Sequence, residues 1–188
     1  MKHLKSYFDK HPVIASIRNE KELDKAIKSD VIMIVIMGGS ILNFGKMADK
    51  IKAVDKLVFI HIDLVKGIAR DSEGVKYLAI NELCDGIIST NGEMVKVAMR
   101  EGLMGIQRLF LLDSDAVRTG RQMLRNNKPD ALEILPGVAS PYFIEHVKHD
   151  ELRPVIAGGL VRTKQEVSDL KEKGVLAVST GKEKLWYK

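Results

Sequence analysis

Four acidic or imidazole side chains in this sequence have the chemistry of an acid/base or cation-binding site. His61 and Asp63 stand two residues apart in the run 57–63, while Asp113 ends a later apolar run and Glu133 lies within another. Residues two apart on a strand share a face, so His61 and Asp63 are predicted to point into one site. Such a set can transfer protons or bind a divalent ion. An equally favoured alternative is a polar network beneath a ligand, whose hydroxyl groups donate to the carboxylates.

A second group of residues has the composition of an anion site. Gly158-Gly159 and Ser179-Thr180-Gly181 each follow an apolar run near the C-terminus, and Ser89-Thr90 follows an earlier one. Glycines let backbone N–H groups approach phosphate oxygens closely, and the Ser and Thr hydroxyl groups add donors. Lys182 or Lys184 can add positive charge. The alternative, that the glycine pair only turns a tight corner, is less favoured.

These residues lie at or near the ends of short runs rich in Val and Ile. Each run is followed by polar residues or glycine and then by apolar residues three and four apart, which is typical of a helix. The predicted strands are 12–17, 31–37, 57–63, 86–90, 107–113, 131–135, 154–157 and 175–179. The predicted helices are 19–28, 43–54, 72–83, 92–101, 114–126, 141–148 and 163–173. The pattern indicates a βα unit repeated eight times.

Eight βα units predict a closed (β/α)₈ barrel. The strands are nearly continuous apolar runs, so both of their faces are expected to be buried, as in a parallel sheet with helices outside. The alternative is an open doubly wound sheet, which needs only five or six strands and would leave two units over. We predict a single TIM-like barrel domain over residues 1–188, with short loops. Sites of such barrels form at the carboxyl ends of the strands, where the candidate residues lie.

Composition and cysteine content exclude several classes of function. Cys84 is the only cysteine, so the sequence has no intramolecular disulfide and no multi-cysteine zinc site. No lysine lies inside a predicted strand, which disfavours a Schiff-base aldolase. We expect neither a metal nor a cofactor, since tight ligand spacing such as His-x-His is missing. The longest uncharged apolar run, 31–37, is too short to span a membrane, and the first residues do not resemble a signal peptide, so a cytoplasmic protein is expected.

One predicted helix carries a row of positive charge. Its four cations step by three, four and three residues and therefore share a face: Arg118, Arg121, Arg125 and Lys128. Residues 116–129 contain no acid, so this row can follow an RNA phosphate backbone; the alternative is a plain solvated face. The helix has no aromatic residue on which an unpaired base can stack. Because the preceding strand ends at Asp113, the fifth βα unit is expected to link a ligand to this row.

Seven sequence segments in or next to the predicted strands, taken together and in order, are more specific for a protein family than any one of them. They are PVIAS at 12–16, VFIHIDL at 58–64 with Gly67, DGIIST at 85–90, QRLFLLDS at 107–114, EILPG at 133–137, VIAGGL at 155–160, and Ser179-Thr180 with Leu185-Trp186. Found in this order over nearly the whole chain, they resemble the glycerol uptake operon antiterminator family, the glycerol-3-phosphate-responsive regulators. The resemblance implies a TIM-like barrel that binds glycerol 3-phosphate as its effector and no catalysis. It also implies action on leader mRNA that prevents premature termination of glycerol uptake and metabolism genes.

The strand-end residues and the basic row take expected roles once the resemblance supplies glycerol 3-phosphate and RNA as what is bound. The expected ligand-binding residues are His61, Asp63, Ser89, Thr90, Asp113, Glu133, Gly158, Gly159, Ser179, Thr180 and Gly181. Asp63 and Glu133 are expected to accept hydrogen bonds from ligand hydroxyl groups, because carboxylates beside the phosphate would repel it. The four cations of the basic row are expected to contact RNA.

Some positions depart from the family pattern, and the residues alone leave an enzyme open. Asn91 stands where a basic residue is usual, and Gly181 replaces a second serine after Thr180. The loss of the basic residue is expected to weaken anion or RNA binding. The alternative function is an acid/base phosphosugar isomerase or epimerase on the same barrel, with His61 and Glu133 as its catalytic residues.

Overall fold

The strands within residues 4–9 and 11–188, which the computed structural model describes, form a closed parallel barrel. The eight strands are β1 (Val13–Ile17), β2 (Met33–Ile36), β3 (Leu57–His61), β4 (Gly86–Ser89), β5 (Met104–Phe110), β6 (Ala131–Leu135), β7 (Val155–Gly158) and β8 (Ala177–Thr180). Neighbours pair in chain order, and β8 pairs with β1. The predicted (β/α)₈ barrel is confirmed. The open sheet is wrong, because the pairing of β8 with β1 closes the ring.

Over the same residues the helices are α1 (Leu4–Tyr7), α2 (Glu20–Lys28), α3 (Ile41–Lys52), α4 (Ser72–Ile80), α5 (Gly92–Arg100), α6 (Ser114–Asn127), α7 (Ser140–His146) and α8 (Lys164–Glu172). Six helices begin at a side chain that accepts a hydrogen bond from the first turn, which fixes where each helix starts: Asn19, Ser40, Asp71, Asn91, Asp113 and Thr163. Among the described helices, none is long and apolar enough to cross a bilayer.

The inside of the barrel is filled by side chains that alternate along the strands. Ile14, Phe59 and Ile106 belong to this cluster, and Leu4 and Phe8 from the N-terminal segment pack against it. Full burial of Phe8 stabilises the barrel by about 1.5 to 3 kcal/mol. The N-terminal segment thereby contributes to the packing inside the barrel.

Two strands end two or three residues earlier than the sequence predicts. β3 ends at His61, and Ile62–Leu64 form a 3₁₀ turn, so the prediction that His61 and Asp63 share a strand face is wrong. β5 is Met104–Phe110 instead of 107–113. Its last pairing partner is Leu135, and the following proline has no N–H with which to extend the ladder. Asp113 therefore lies beyond the strand end.

Candidate functional site

A cavity of about 560 Å³ opens at the carboxyl end of the barrel, above the ends of β1 and β5 to β8. Four cationic side chains and one carboxylate line it: Arg18, Arg108, Arg162, Lys182 and Glu133. Arg18, Arg162 and Lys182 are exposed, whereas Arg108 and Glu133 are buried at the floor. The excess of positive charge favours an anionic ligand.

The floor of the cavity holds a buried ion pair. Arg108 of β5 lies directly opposite Glu133 of β6, and Arg108 Nε donates to Glu133 Oε2 at 2.7 Å. Arg108 Nη2 lies 3.8 Å from the sulfur of Met37. A Cβ placed on Gly158 would lie 3.2 Å from Glu133 Oε1, so only glycine leaves this carboxylate oxygen uncrowded. The pair can therefore donate from Arg108 and accept at Glu133, which suits a ligand hydroxyl group.

His61 is buried near this pair but is not among the described side chains that line the cavity. Burial, together with the positive charge of Arg108, lowers the pKa of His61 to about 4, so the ring is neutral at pH 7. Neither ring nitrogen has a hydrogen-bond partner among the described residues, and Asp63 Oδ2 lies 4.0 Å from Nδ1. The neutral His61 ring thus has one N–H donor and one nitrogen acceptor beneath the site, neither of which forms a hydrogen bond to a described residue.

Asp63, Ser89 and Thr90 form a network that fixes the loop after β4. Asp63 Oδ1 accepts from Ser89 Oγ at 2.6 Å, and Oδ2 accepts from Thr90 N at 2.7 Å and Thr90 Oγ1 at 2.9 Å. Burial raises the pKa of Asp63, but these hydrogen bonds outweigh burial and hold it below its ordinary value. The three residues do not line the cavity. A ligand hydroxyl group would have to displace one of these bonds to reach Asp63.

The loops after β7 and β8 form one wall of the cavity. Gly158 lies opposite Ser179, and Gly159 adopts a left-handed backbone with φ +73°. Ser179 Oγ lies 2.8 Å from Ser16 Oγ, which places two hydroxyl groups side by side. Trp186 Nε1 donates to the carbonyl of Thr180 at 2.9 Å and anchors this loop. The structure therefore brings together the glycine pair, Ser179-Thr180-Gly181 and Glu133, as in the predicted ligand set.

Comparison with models of known protein families identifies the family of this chain. Residues 13–186 match the model of the family described as glycerol-3-phosphate responsive antiterminator. The chain belongs to this family. The resemblance drawn from the seven sequence segments is confirmed.

Three relatives show how closely the chain follows the antiterminator family. The uncharacterized protein YgcP of Escherichia coli (strain K12) is 35% identical over 176 residues, which are 94% of this chain and 92% of the relative. The structure of a glycerol uptake operon antiterminator regulatory protein from Listeria monocytogenes str. 4b F2365 matches with a TM-score of 0.87 and 31% identity, covering 95% of this chain and 96% of that one. A glycerol uptake operon antiterminator-related protein from Thermotoga maritima MSB8 matches with a TM-score of 0.84 and 28% identity, covering 94% and 98%.

Two residues that the sequence analysis singled out, Asp113 and Asn91, are among the helix caps of this antiterminator-family chain. Asp113 is exposed and accepts from Ala116 N at 2.8 Å, so it caps α6 and stands apart from the cavity wall. Asn91 accepts from Glu93 N at 2.9 Å and caps α5. An N-cap side chain of this kind stabilises a protein by about 1 kcal/mol.

Arg118, Arg121 and Arg125 of the basic row lie on α6, at the outside of the barrel, whereas Lys128 follows the helix in a left-handed conformation, so the predicted shared helix face holds only for the three arginines. Two carboxylates, one of them on α6 itself, meet the row. Arg121 Nε lies 4.0 Å and Arg125 Nη1 lies 3.4 Å from the carboxylate of Glu151, which follows α7 in the chain. Arg118 pairs with Asp115 at 3.1 Å, and both side chains are exposed. Glu151 and Asp115 therefore neutralise part of the row.

Ser16, Arg108 and Arg162 line the cavity but are missing from the predicted site set. A signal for Arg108 existed: a charged residue inside an apolar strand needs a partner, and Glu133 lies inside the next strand. Arg162 gives no comparable signal, because an exposed arginine near a helix start is common. Its place at the cavity depends on the loop that follows Gly159.

Proposed function

We propose that this chain senses glycerol 3-phosphate and, with the ligand bound, acts as an antiterminator on leader mRNA of glycerol uptake and metabolism genes in the cytoplasm. The supporting observation is the cavity, where a wall of glycines and hydroxyl groups, with exposed cations at its rim, stands above the Arg108–Glu133 pair. Membership of the antiterminator family supports the same ligand and the same class of regulation.

The two ends of glycerol 3-phosphate fit the two parts of this cavity. The phosphate accepts hydrogen bonds from the backbone at Gly158-Gly159 and from Ser179 and Thr180, with positive charge from the exposed cations of the rim. The glycerol hydroxyl groups reach the floor, where Glu133 Oε1 accepts and Arg108 donates. Glu133 lies close to Gly158, but Arg108 compensates its charge, which limits the repulsion between this carboxylate and the phosphate.

The enzyme alternative is less well supported by the same geometry. A general base must reach the proton that it removes, and His61 does not line the cavity. Glu133 Oε2 already accepts from Arg108, so only the other carboxylate oxygen is free to meet a substrate. We therefore propose a sensor without catalysis. Turnover of triose or pentose phosphates that His61→Ala or Glu133→Ala abolishes would contradict this proposal.

We expect the protein to raise transcription through a glycerol-operon leader terminator only when glycerol 3-phosphate is present. The physical reason is that ligand binding must favour the RNA-binding form, with a typical coupling of about 1 to 3 kcal/mol, which corresponds to about 5-fold to 150-fold in affinity. Single-round transcription of a leader template in vitro measures the readthrough fraction. Glycerol at equal concentration is the control. Readthrough that is the same with either compound would count against the proposal.

A further inference from the structure

Helix α7 presents an ordered aromatic pair at the surface. The rings of Tyr142 and His146, one turn apart, stack with centroids 4.0 Å apart and an angle of 23° between their planes. His146 Nδ1 donates to the carbonyl of Tyr142 at 2.7 Å, which fixes the orientation of the imidazole ring. Tyr142 is 50% exposed. Exposed aromatic rings that are already ordered bind an unpaired base at little entropic cost.

This aromatic pair lies on the side of α7 that faces α6. Phe143 packs against α6 at Gly120, where a Cβ would lie 2.6 Å from Phe143 Cε2, so the glycine permits close approach of the two helices. Ile144 lies on the other side of α7, next to Gly174, which follows α8. At 100° per residue, Tyr142 and His146 lie on the opposite side of Phe143 from Ile144. They therefore border the groove between α6 and α7.

The basic row of α6 borders the same groove. Glu151, in the segment that follows α7, contacts both Arg121 and Arg125, so this face of α6 points toward α7. Arg121 Nε is buried and has no hydrogen-bond partner among the described residues. The exposed part of this guanidinium can meet a phosphate oxygen, and a charge-assisted hydrogen bond there is favourable. Cations and a stacking surface on one groove are the combination that single-stranded nucleic acids need.

We propose that single-stranded RNA binds in the groove between α6 and α7, with a base stacked on Tyr142 and phosphates on Arg118, Arg121 and Arg125. This inference rests on the proposed function and names the surface by which the chain contacts RNA. A protein partner is disfavoured because the groove combines stacked aromatic rings with a row of arginines, which is complementary to bases and phosphates.

The sixth βα unit connects this groove to the ligand cavity. Gly137 N donates to the carbonyl of Gly159 at 3.1 Å, and Gly159 is part of the phosphate wall. The 3₁₀ turn Gly137–Ala139 leads directly into α7. A phosphate that orders Gly159 thereby orients the helix that carries Tyr142. This connection replaces the fifth unit, whose Asp113 stands apart from the cavity wall.

We expect Tyr142→Ala to weaken leader-RNA binding about tenfold, because the base loses its stacking surface. Fluorescence anisotropy with labelled leader RNA and saturating glycerol 3-phosphate measures the affinity. Tyr142→Phe keeps the ring and is expected to bind like the unaltered protein. Tyr77→Ala is the matched control, since Tyr77 is 42% exposed on α4, on another side of the barrel. Equal losses in Tyr142→Ala and Tyr77→Ala would overturn the inference.

Charge changes on the same groove give a second readout. Replacing Arg118, Arg121 and Arg125 with glutamine is expected to reduce the slope of log affinity against log salt by about 2, at ~0.7 per phosphate contact. Glu151→Gln is expected to tighten RNA binding severalfold, because it frees two guanidinium groups, whereas Glu172→Gln on α8 leaves it unchanged.

The outcomes separate this inference from the function on which it rests. If the unaltered protein binds leader RNA with glycerol 3-phosphate but the slope and the Tyr142→Ala affinity do not change, the groove is wrong and the proposed function stands. If the unaltered protein binds no RNA, both are overturned. If the arginine triple variant binds a protein partner less well while RNA binding is unchanged, the groove is a protein surface instead.

Discussion

Replacing Glu133 with alanine is expected to lower the free energy of unfolding by about 3 to 5 kcal/mol. Arg108 is 7% exposed and its Nε has Glu133 as its partner at 2.7 Å. Without the carboxylate, a guanidinium charge stays buried in the barrel with no compensating charge. Urea unfolding followed by circular dichroism measures the change.

The matched control removes both charges at once. Arg108→Met with Glu133→Leu replaces the pair by apolar side chains of similar volume, and we expect this double variant to be within about 1 kcal/mol of the unaltered protein. Glycerol 3-phosphate binding should nevertheless fall, because the floor can no longer bind hydroxyl groups. A Glu133→Ala variant as stable as the unaltered protein would show that Arg108 is not held by this pair.

Gly159→Ala is expected to weaken glycerol 3-phosphate binding tenfold or more. Gly159 has φ +73°, a conformation that costs an alanine about 1 to 2 kcal/mol, so the loop is expected to relax to another shape. The backbone N–H groups then no longer converge on the phosphate. Titration calorimetry with glycerol 3-phosphate measures the affinity.

Gly102→Ala separates this effect from a general loss of stability. Gly102 has φ +84° at the end of α5, and a Cβ there would meet nothing within 4 Å. We expect Gly102→Ala to destabilise the fold by a similar amount and to bind the ligand normally. If the two alanine variants bind equally well, the loop after β7 does not contact the phosphate.

The barrel could be predicted because its strands are short, nearly continuous apolar runs at regular spacing, so each one appears in the sequence without knowledge of its neighbours. The wall of the cavity after β7 and β8 could be predicted for the same reason, since Gly158-Gly159 and Ser179-Thr180 directly follow such runs. Both features depend on local sequence. The barrel then places them side by side through the pairing of β7 with β8.

Other parts of the site depend on partners that lie far away in the chain. Asp63 seemed to share a face with His61, but hydrogen bonds from Ser89 and Thr90 hold it in a 3₁₀ turn. Glu151, which lies 26 residues after Arg125 in the chain, neutralises part of the basic row. Local periodicity cannot reveal such contacts, because it reports only which face of an element is apolar.

Titration calorimetry of glycerol 3-phosphate against glycerol tests the central claim, a phosphate subsite at the loops after β7 and β8, most directly. The account predicts one molecule of glycerol 3-phosphate bound per chain, at least tenfold more tightly than glycerol, since glycerol cannot use the cationic wall. Inorganic phosphate is expected to compete for the same subsite, with a lower affinity than glycerol 3-phosphate. Equal affinity for glycerol and glycerol 3-phosphate would contradict the account.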